Sequence, residues 1–81
     1  MKIGIVGAGK IAEKHISGYQ ALGINNIIIF DKNKFAAERL AKQYNLTVAK
    51  HLNEITSKTD ITDVCTPVKT HKTIILEALT H

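Results

Sequence analysis

Apolar residues along this chain fall into short continuous runs that alternate with stretches of helical period. Residues 2–6 place Ile3, Ile5 and Val6 in a run closed by glycines, which predicts a short buried strand. Over 11–22 the period lengthens to that of a helix. Ile11, His15, Tyr19 and Leu22 recur on one side, and Gly23 just past the end acts as a stop signal, so a helix with that inward stripe is expected. The segment NIIIF at 26–30 is apolar almost throughout, as a parallel strand covered on both faces should be, and it ends at Asp31. Residues 33–44 predict a second helix with Phe35, Ala36, Leu40 and Tyr44 along one side. A short third strand at 47–49, a helical turn at 52–57 and a fourth strand at 61–65 follow. Thr66-Pro67 breaks that strand, and 69–79 predict a last helix whose Ile74, Ile75, Ala78 and Leu79 form the apolar stripe.

Strand, helix, strand, helix, strand, turn, strand, helix is a βαβαβ-β-α sequence of elements. Parallel neighbours need crossovers, and crossovers of this kind are right-handed. The predicted fold class is therefore α/β, a partial doubly wound parallel sheet with strand order 3-2-1-4. In that order the fourth strand is an edge, and an uncovered apolar edge invites self-association through pairing with another chain.

Composition changes this picture little. A chain of 81 residues with one proline, one cysteine and 44% hydrophobic residues fits one small globular domain, and no repeat or linker marks a second. At this size folding removes only about 60% of the unfolded chain's surface from water, so the core should be thin. The apolar run before Gly7 is too short for a signal peptide and far too short to span a bilayer, so no membrane partner is expected and the cytoplasm is the expected setting. Cys65 has no partner for an internal disulfide, in keeping with a reducing compartment. The formal charge of +4 is spread over scattered lysines. Such a field attracts anions such as a dinucleotide, whereas nucleic acid would call for a clustered basic face or a reading motif, and neither occurs.

Chemistry enters at the first turn. Gly7-Ala8-Gly9-Lys10-Ile11-Ala12 reads G-x-G-x-x-A, a variant of the dinucleotide fingerprint of Rossmann folds. Gly7 permits the tight turn out of the strand, Gly9 lacks the Cβ that would keep a diphosphate from the backbone, and Ala12 lets helix and strand pack closely. The helix that begins here points free N–H groups and the positive end of its dipole at the phosphates. Asp31, at the carboxyl end of the second strand, can accept both hydroxyls of an adenosine ribose and would repel a 2′-phosphate, which favours NAD. Lys32 and Lys34 beside it leave NADP open as the alternative. The plainer reading is that Gly7 and Gly9 only shape a corner and Asp31 only caps the second helix. A P-loop is disfavoured because Ile11 follows Lys10 where a Ser or Thr would hold magnesium.

These stretches, together with F-D-K at 30–32 and D-V-C-T-P-V-K-T-H at 63–71, resemble the glucose–fructose oxidoreductase, inositol dehydrogenase and MocA group of nicotinamide-dependent oxidoreductases. The resemblance runs over the whole chain. It implies that the turn at Thr66, Pro67 and His71 lies over the cofactor, with Val68 standing where asparagine is common in the family. It also implies a further strand ending in Glu-Lys-Pro, whose lysine serves catalysis, and a second, substrate-binding domain. Neither is present, so the expectation is a truncated dinucleotide-binding domain that holds the ADP part of the cofactor and does not turn over a sugar or polyol by itself.

The four histidines do not fall at metal-ligand spacings, so no metal site is predicted, and Cys65 reads as a small apolar residue at a strand end. A nucleophilic Cys65 would need His71 as its base. His15 falls on the expected inward stripe, where satisfied packing explains it. Two other functions use the same turn and acid: a non-catalytic nucleotide-sensing module and a fold that binds S-adenosylmethionine. The Thr-Pro-x-x-x-His stretch favours the oxidoreductase.

Overall fold

The computed structural model describes residues 1–65. They form β1 (Ile3–Val6), α1 (Lys10–Ala21), β2 (Ile27–Phe30), α2 (Lys34–Tyr44), β3 (Thr47–Val48), α3 (Leu52–Lys58) and β4 (Ile61–Val64). The strands make one parallel sheet in the order β3-β2-β1-β4, the expected 3-2-1-4. Ile3 of β1 lies in register between Ile27 of β2 and Ile61 of β4, so β1 is central and β4 forms one edge among the described residues. The β-branched character of these strands suits a pleated surface covered on both sides.

Helices cover both faces. On one side Ile3, Ile5, Ile27 and Ile29 pack against Ala12 and Ile16 of α1 and against Ala37, Leu40 and Ala41 of α2. On the other, Val6 and Ile28 meet Ile55 of α3. Tyr44 of α2 donates its hydroxyl to Glu13 of α1 at 2.8 Å, which joins the two helices of the first face.

The inward faces of both long helices differ from those expected. Ile11 is 59% and Leu22 78% exposed, and the buried residues of α1 are Ala12 and Ile16. The stripe is rotated by about one residue because the turn at Gly7–Gly9 sets the direction in which α1 leaves the sheet, and that direction puts the small Ala12 against β1. In α2, Phe35 is 82% exposed while Ala37 and Ala41 face the sheet. Alanines there let the helix lie close to β2, where a phenylalanine would hold it away.

Caps set the ends of α2. Asn33 accepts the N–H groups of Phe35 and Ala36 through its side chain, and Asn45 closes the helix in the left-handed region at φ 60°. The reading in which Asp31 is merely the cap of this helix is therefore displaced by Asn33.

Gly4, inside β1, is buried under α3. A Cβ on Gly4 would lie 2.5 Å from Ile55 Cγ2 and 2.9 Å from Thr59 Cγ2, so the central strand approaches α3 only because this residue has no side chain. Gly4→Ala should lower stability by about 1–3 kcal/mol, the usual cost of overpacking a core. Urea unfolding measures this, and a midpoint equal to that of the unmodified chain would contradict it.

Candidate functional site

The carboxyl ends of β1 and β2 carry the predicted site. Gly7 leaves β1 at φ 104°, a conformation that side chains disfavour, and its N–H donates to the Phe30 carbonyl at 2.8 Å. The next N–H, of Ala8, donates to Asp31 Oδ2 at 2.8 Å. The other oxygen of Asp31 accepts the N–H of Asn33 at 2.7 Å. One carboxylate thus ties the glycine turn to the start of α2, a contact between residues 23 apart that sequence reasoning missed.

Gly9 differs from its neighbours. It caps α1 in extended backbone at φ −96°, which any residue adopts, and no side chain among the described residues caps the helix. A Cβ built on Gly9 meets no described atom within 4 Å. Nothing in the fold of the described residues requires glycine here, and the bare backbone keeps open the space in front of α1. The N–H groups of the first helical turn have no intrahelical acceptor, and the dipole adds positive potential to them. Lys10 and Ile11 flank this opening, both exposed.

A groove of about 390 Å³ continues from Asp31 across β2 and β3. Val48 and Ala49 contribute apolar surface to it, and Lys32, Lys34 and Lys50 stand around it. Its size lies within the range of small-molecule sites, and the cations favour a ligand that carries phosphate. Gly7, Ala8, Gly9, Lys10, Ile11, Asp31 and Lys32 thus all follow the carboxyl ends of the two internal strands. Thr66, Pro67 and His71 lie outside the described residues, as does the predicted helix at 69–79.

A second polar group occupies the other flank of α1. His15 is not part of the packed stripe: its side chain is 44% exposed, and Nδ1 lies 2.7 Å from Asp63 Oδ2. The Tyr19 hydroxyl donates to the same oxygen at 2.8 Å. Cys65 Sγ stands 3.4 Å from His15 Nδ1 and 3.5 Å from Asp63 Oδ1. Burial, then the charge of Asp63 and its hydrogen bond, push the Cys65 thiol up to about 12. Burial, then the hydrogen bond to Asp63 and its charge, push the Tyr19 hydroxyl up to about 12 as well. A thiol protonated at neutral pH is a poor nucleophile, which counts against covalent chemistry at Cys65.

Comparison with known proteins places this arrangement. The whole chain, residues 1–81, matches the family model for GFO/IDH/MocA, described as an oxidoreductase family with a NAD-binding Rossmann fold. Among solved structures, the fold is similar to that of UDP-N-acetylglucosamine 3-dehydrogenase GnnA from Acidithiobacillus ferrooxidans, with a TM-score of 0.88 and 23% identity over 99% of this chain and 25% of that one. It is also similar to GenD2 from gentamicin A biosynthesis in complex with NAD, with a TM-score of 0.85 and 20% identity over 99% of this chain and 24% of the other. The chain therefore spans about a quarter of the length of these structures. No curated protein matches its sequence. Among the described residues no helix is long and apolar enough to cross a membrane.

The raised thiol and phenol have a thermodynamic consequence. Folded Cys65 and Tyr19 hold their protons more tightly than their unfolded counterparts, which release them near 9 and 10. The stability they contribute is complete below about pH 9 and is lost as the pH rises toward about 12. The thermal unfolding midpoint should fall across that alkaline window, and Cys65→Ala should flatten the fall. An unchanged slope in the variant would show that the thiol is not the group responsible.

Proposed function

Because the chain belongs to the GFO/IDH/MocA oxidoreductase family, with its NAD-binding Rossmann fold, we propose that it grips the ADP portion of a nicotinamide dinucleotide at the carboxyl ends of β1 and β2. The observation that carries this reading is the open space at Gly9. The described part of the fold would accept a side chain there, and a diphosphate would not. The amides of the first turn of α1 face that space, so the diphosphate would sit against N–H donors and the positive end of a helix dipole. Asp31 is already fixed by the N–H groups of Ala8 and Asn33, and each carboxylate oxygen keeps lone-pair capacity for a ribose hydroxyl. The groove lined by Val48 and Ala49 would receive the adenine.

Asp31 supports NAD over NADP, since its charge would repel a 2′-phosphate. Lys32, Lys34 and Lys50 around the groove oppose that repulsion, so discrimination should be modest. When bound, the dinucleotide supplies hydride transfer, and the activity this unit would serve is that of a sugar or polyol dehydrogenase. The residues that would position such a substrate are proposed to lie outside this dinucleotide-binding unit, which by itself would bind cofactor without turnover.

Gly9→Ala separates ligand binding from folding. At an extended helix cap, alanine loses roughly 0.5–1 kcal/mol of capping but restricts the unfolded chain by a similar amount, so stability should stay within about 1 kcal/mol. Affinity for NAD should drop at least about tenfold, or about 1.4 kcal/mol, as read by titration calorimetry. A variant that binds NAD as well as the parent would remove this reading, as would a thermal shift with S-adenosylmethionine and none with NAD. Asp31→Asn should weaken NAD by about tenfold or more, the scale of a hydrogen bond to a charged group, and should move the NADP-to-NAD affinity ratio toward NADP. Competition binding with the two dinucleotides measures that ratio, and a ratio left where it was would take the discriminating role away from Asp31.

A further inference from the structure

Asp63 on β4 and Cys65, one residue past its end, are two residues apart in extended chain and so project to one side, toward α1. His15 and Tyr19 are four residues apart on α1 and share the face that meets them. The result is a convergence of three different donors, an imidazole nitrogen, a carboxylate oxygen and a thiol sulfur, whose atoms all lie within 4.8 Å of one another. From this geometry we propose that His15, Asp63 and Cys65 form a binding site for a borderline divalent transition ion such as Zn²⁺, with water completing a tetrahedron.

Distances support the assignment. Bonds of about 2.0–2.2 Å to nitrogen and oxygen and about 2.3 Å to sulfur, spread tetrahedrally, put nitrogen and oxygen about 3.4 Å apart and either of them about 3.6 Å from sulfur. The His15 Nδ1 to Cys65 Sγ separation is 3.4 Å and the Asp63 Oδ1 to Cys65 Sγ separation 3.5 Å, already at those values. The carboxylate meets His15 through its other oxygen, Oδ2, at 2.7 Å, and this hydrogen bond has to open by a small rotation of the imidazole when an ion replaces the shared proton. His15 is half exposed and free to make that rotation, and it lies on the side from which an ion would arrive. The mixed nitrogen, oxygen and sulfur set suits zinc better than calcium or magnesium, which take oxygen ligands.

Tyr19 completes the site from behind. Its hydroxyl donates to Asp63 Oδ2, the kind of outer contact that orients a ligating carboxylate. On binding, the Cys65 proton passes to solvent and sulfur bonds to the ion as thiolate, while the imidazole ligates through Nδ1 as the neutral tautomer with its single proton on Nε2, the proton shared with Asp63 moving there or, from an imidazolium, to solvent. An ion held there would pin the β4 edge to α1. Cys65 also donates its N–H to the carbonyl of Val6, the residue before Gly7, so the site abuts the diphosphate turn without sharing a residue with it.

The test is a Co²⁺ titration of the reduced full chain, followed by displacement with Zn²⁺. One equivalent of Co²⁺ should produce a sulfur-to-cobalt charge-transfer band and the strong visible bands of four-coordinate cobalt, and Zn²⁺ should erase both. Cys65→Ser should abolish the charge-transfer band, and His15→Ala, at a half-exposed position that folding tolerates, should weaken binding at least about tenfold. Tyr19→Phe should weaken it about 10–100-fold with the stoichiometry unchanged. Because the chain has one cysteine, Zn²⁺ should also slow alkylation of the unmodified protein, a readout that needs no variant. Weak octahedral bands alone, bands that survive Cys65→Ser, or an alkylation rate indifferent to Zn²⁺ would overturn the proposal. NAD binding is read separately, so either result leaves the cofactor reading to its own experiments.

Discussion

Asp31 accepts two backbone N–H groups, that of Ala8 at 2.8 Å and that of Asn33 at 2.7 Å, and these belong to the two turns at which the chain leaves β1 and β2. Charge-assisted hydrogen bonds of this kind are among the stronger contacts a surface loop can make. Together with the N–H of Gly7 on the Phe30 carbonyl, they hold the glycine turn to the neighbouring strand end. The direction of α1, and with it the position of the open amides in front of Gly9, follows from that attachment. The same carboxylate is the proposed ribose ligand, so its stabilising contacts within the protein also orient it toward a dinucleotide before one arrives.

Close packing around β1 is the second constraint. Helices lie on both faces of this strand, and small residues allow them near: Gly4 of β1 beneath α3, and Ala12 of α1 against the opposite face. With strands of four residues or fewer, the core has little apolar area to spare, and the short distances between layers make up for the small elements. The exposure of Phe35 and Leu22 follows from the same economy, since the sheet-facing positions of the long helices are held largely by alanine and isoleucine.

The flank between α1 and β4 obeys a different logic. Asp63 gathers His15, Tyr19 and Cys65 around one carboxylate, and the donors come from two elements that meet only because β4 pairs with β1. The group lies beside the sheet edge rather than over the glycine turn, on the flank of α1 away from the Glu13–Tyr44 contact with α2. The first helix therefore serves two neighbours at once, the proposed cofactor at its N-terminus and the proposed ion along its side.

Much of this fold was legible in the residues alone. The alternation of β-branched runs with helical stretches determined the parallel sheet and its order. The spacing of Gly7, Gly9 and Ala12, with Asp31 closing the second strand, pointed to the place proposed for a dinucleotide. Periodicity, however, specifies a spacing and not a phase. Ile11, His15 and Leu22 keep helical spacing as well as Ala12 and Ile16 do, and only the angle at which the glycine turn releases α1 decided which set was buried. Tertiary structure alone decided that Gly4 could carry no side chain, that Ala8 would donate to Asp31, and that His15 would meet Asp63 and Cys65 across separations of 48 and 50 residues. Contacts at such range follow from the pairing of strands distant in the chain, a property of the folded sheet that no local pattern of residues encodes.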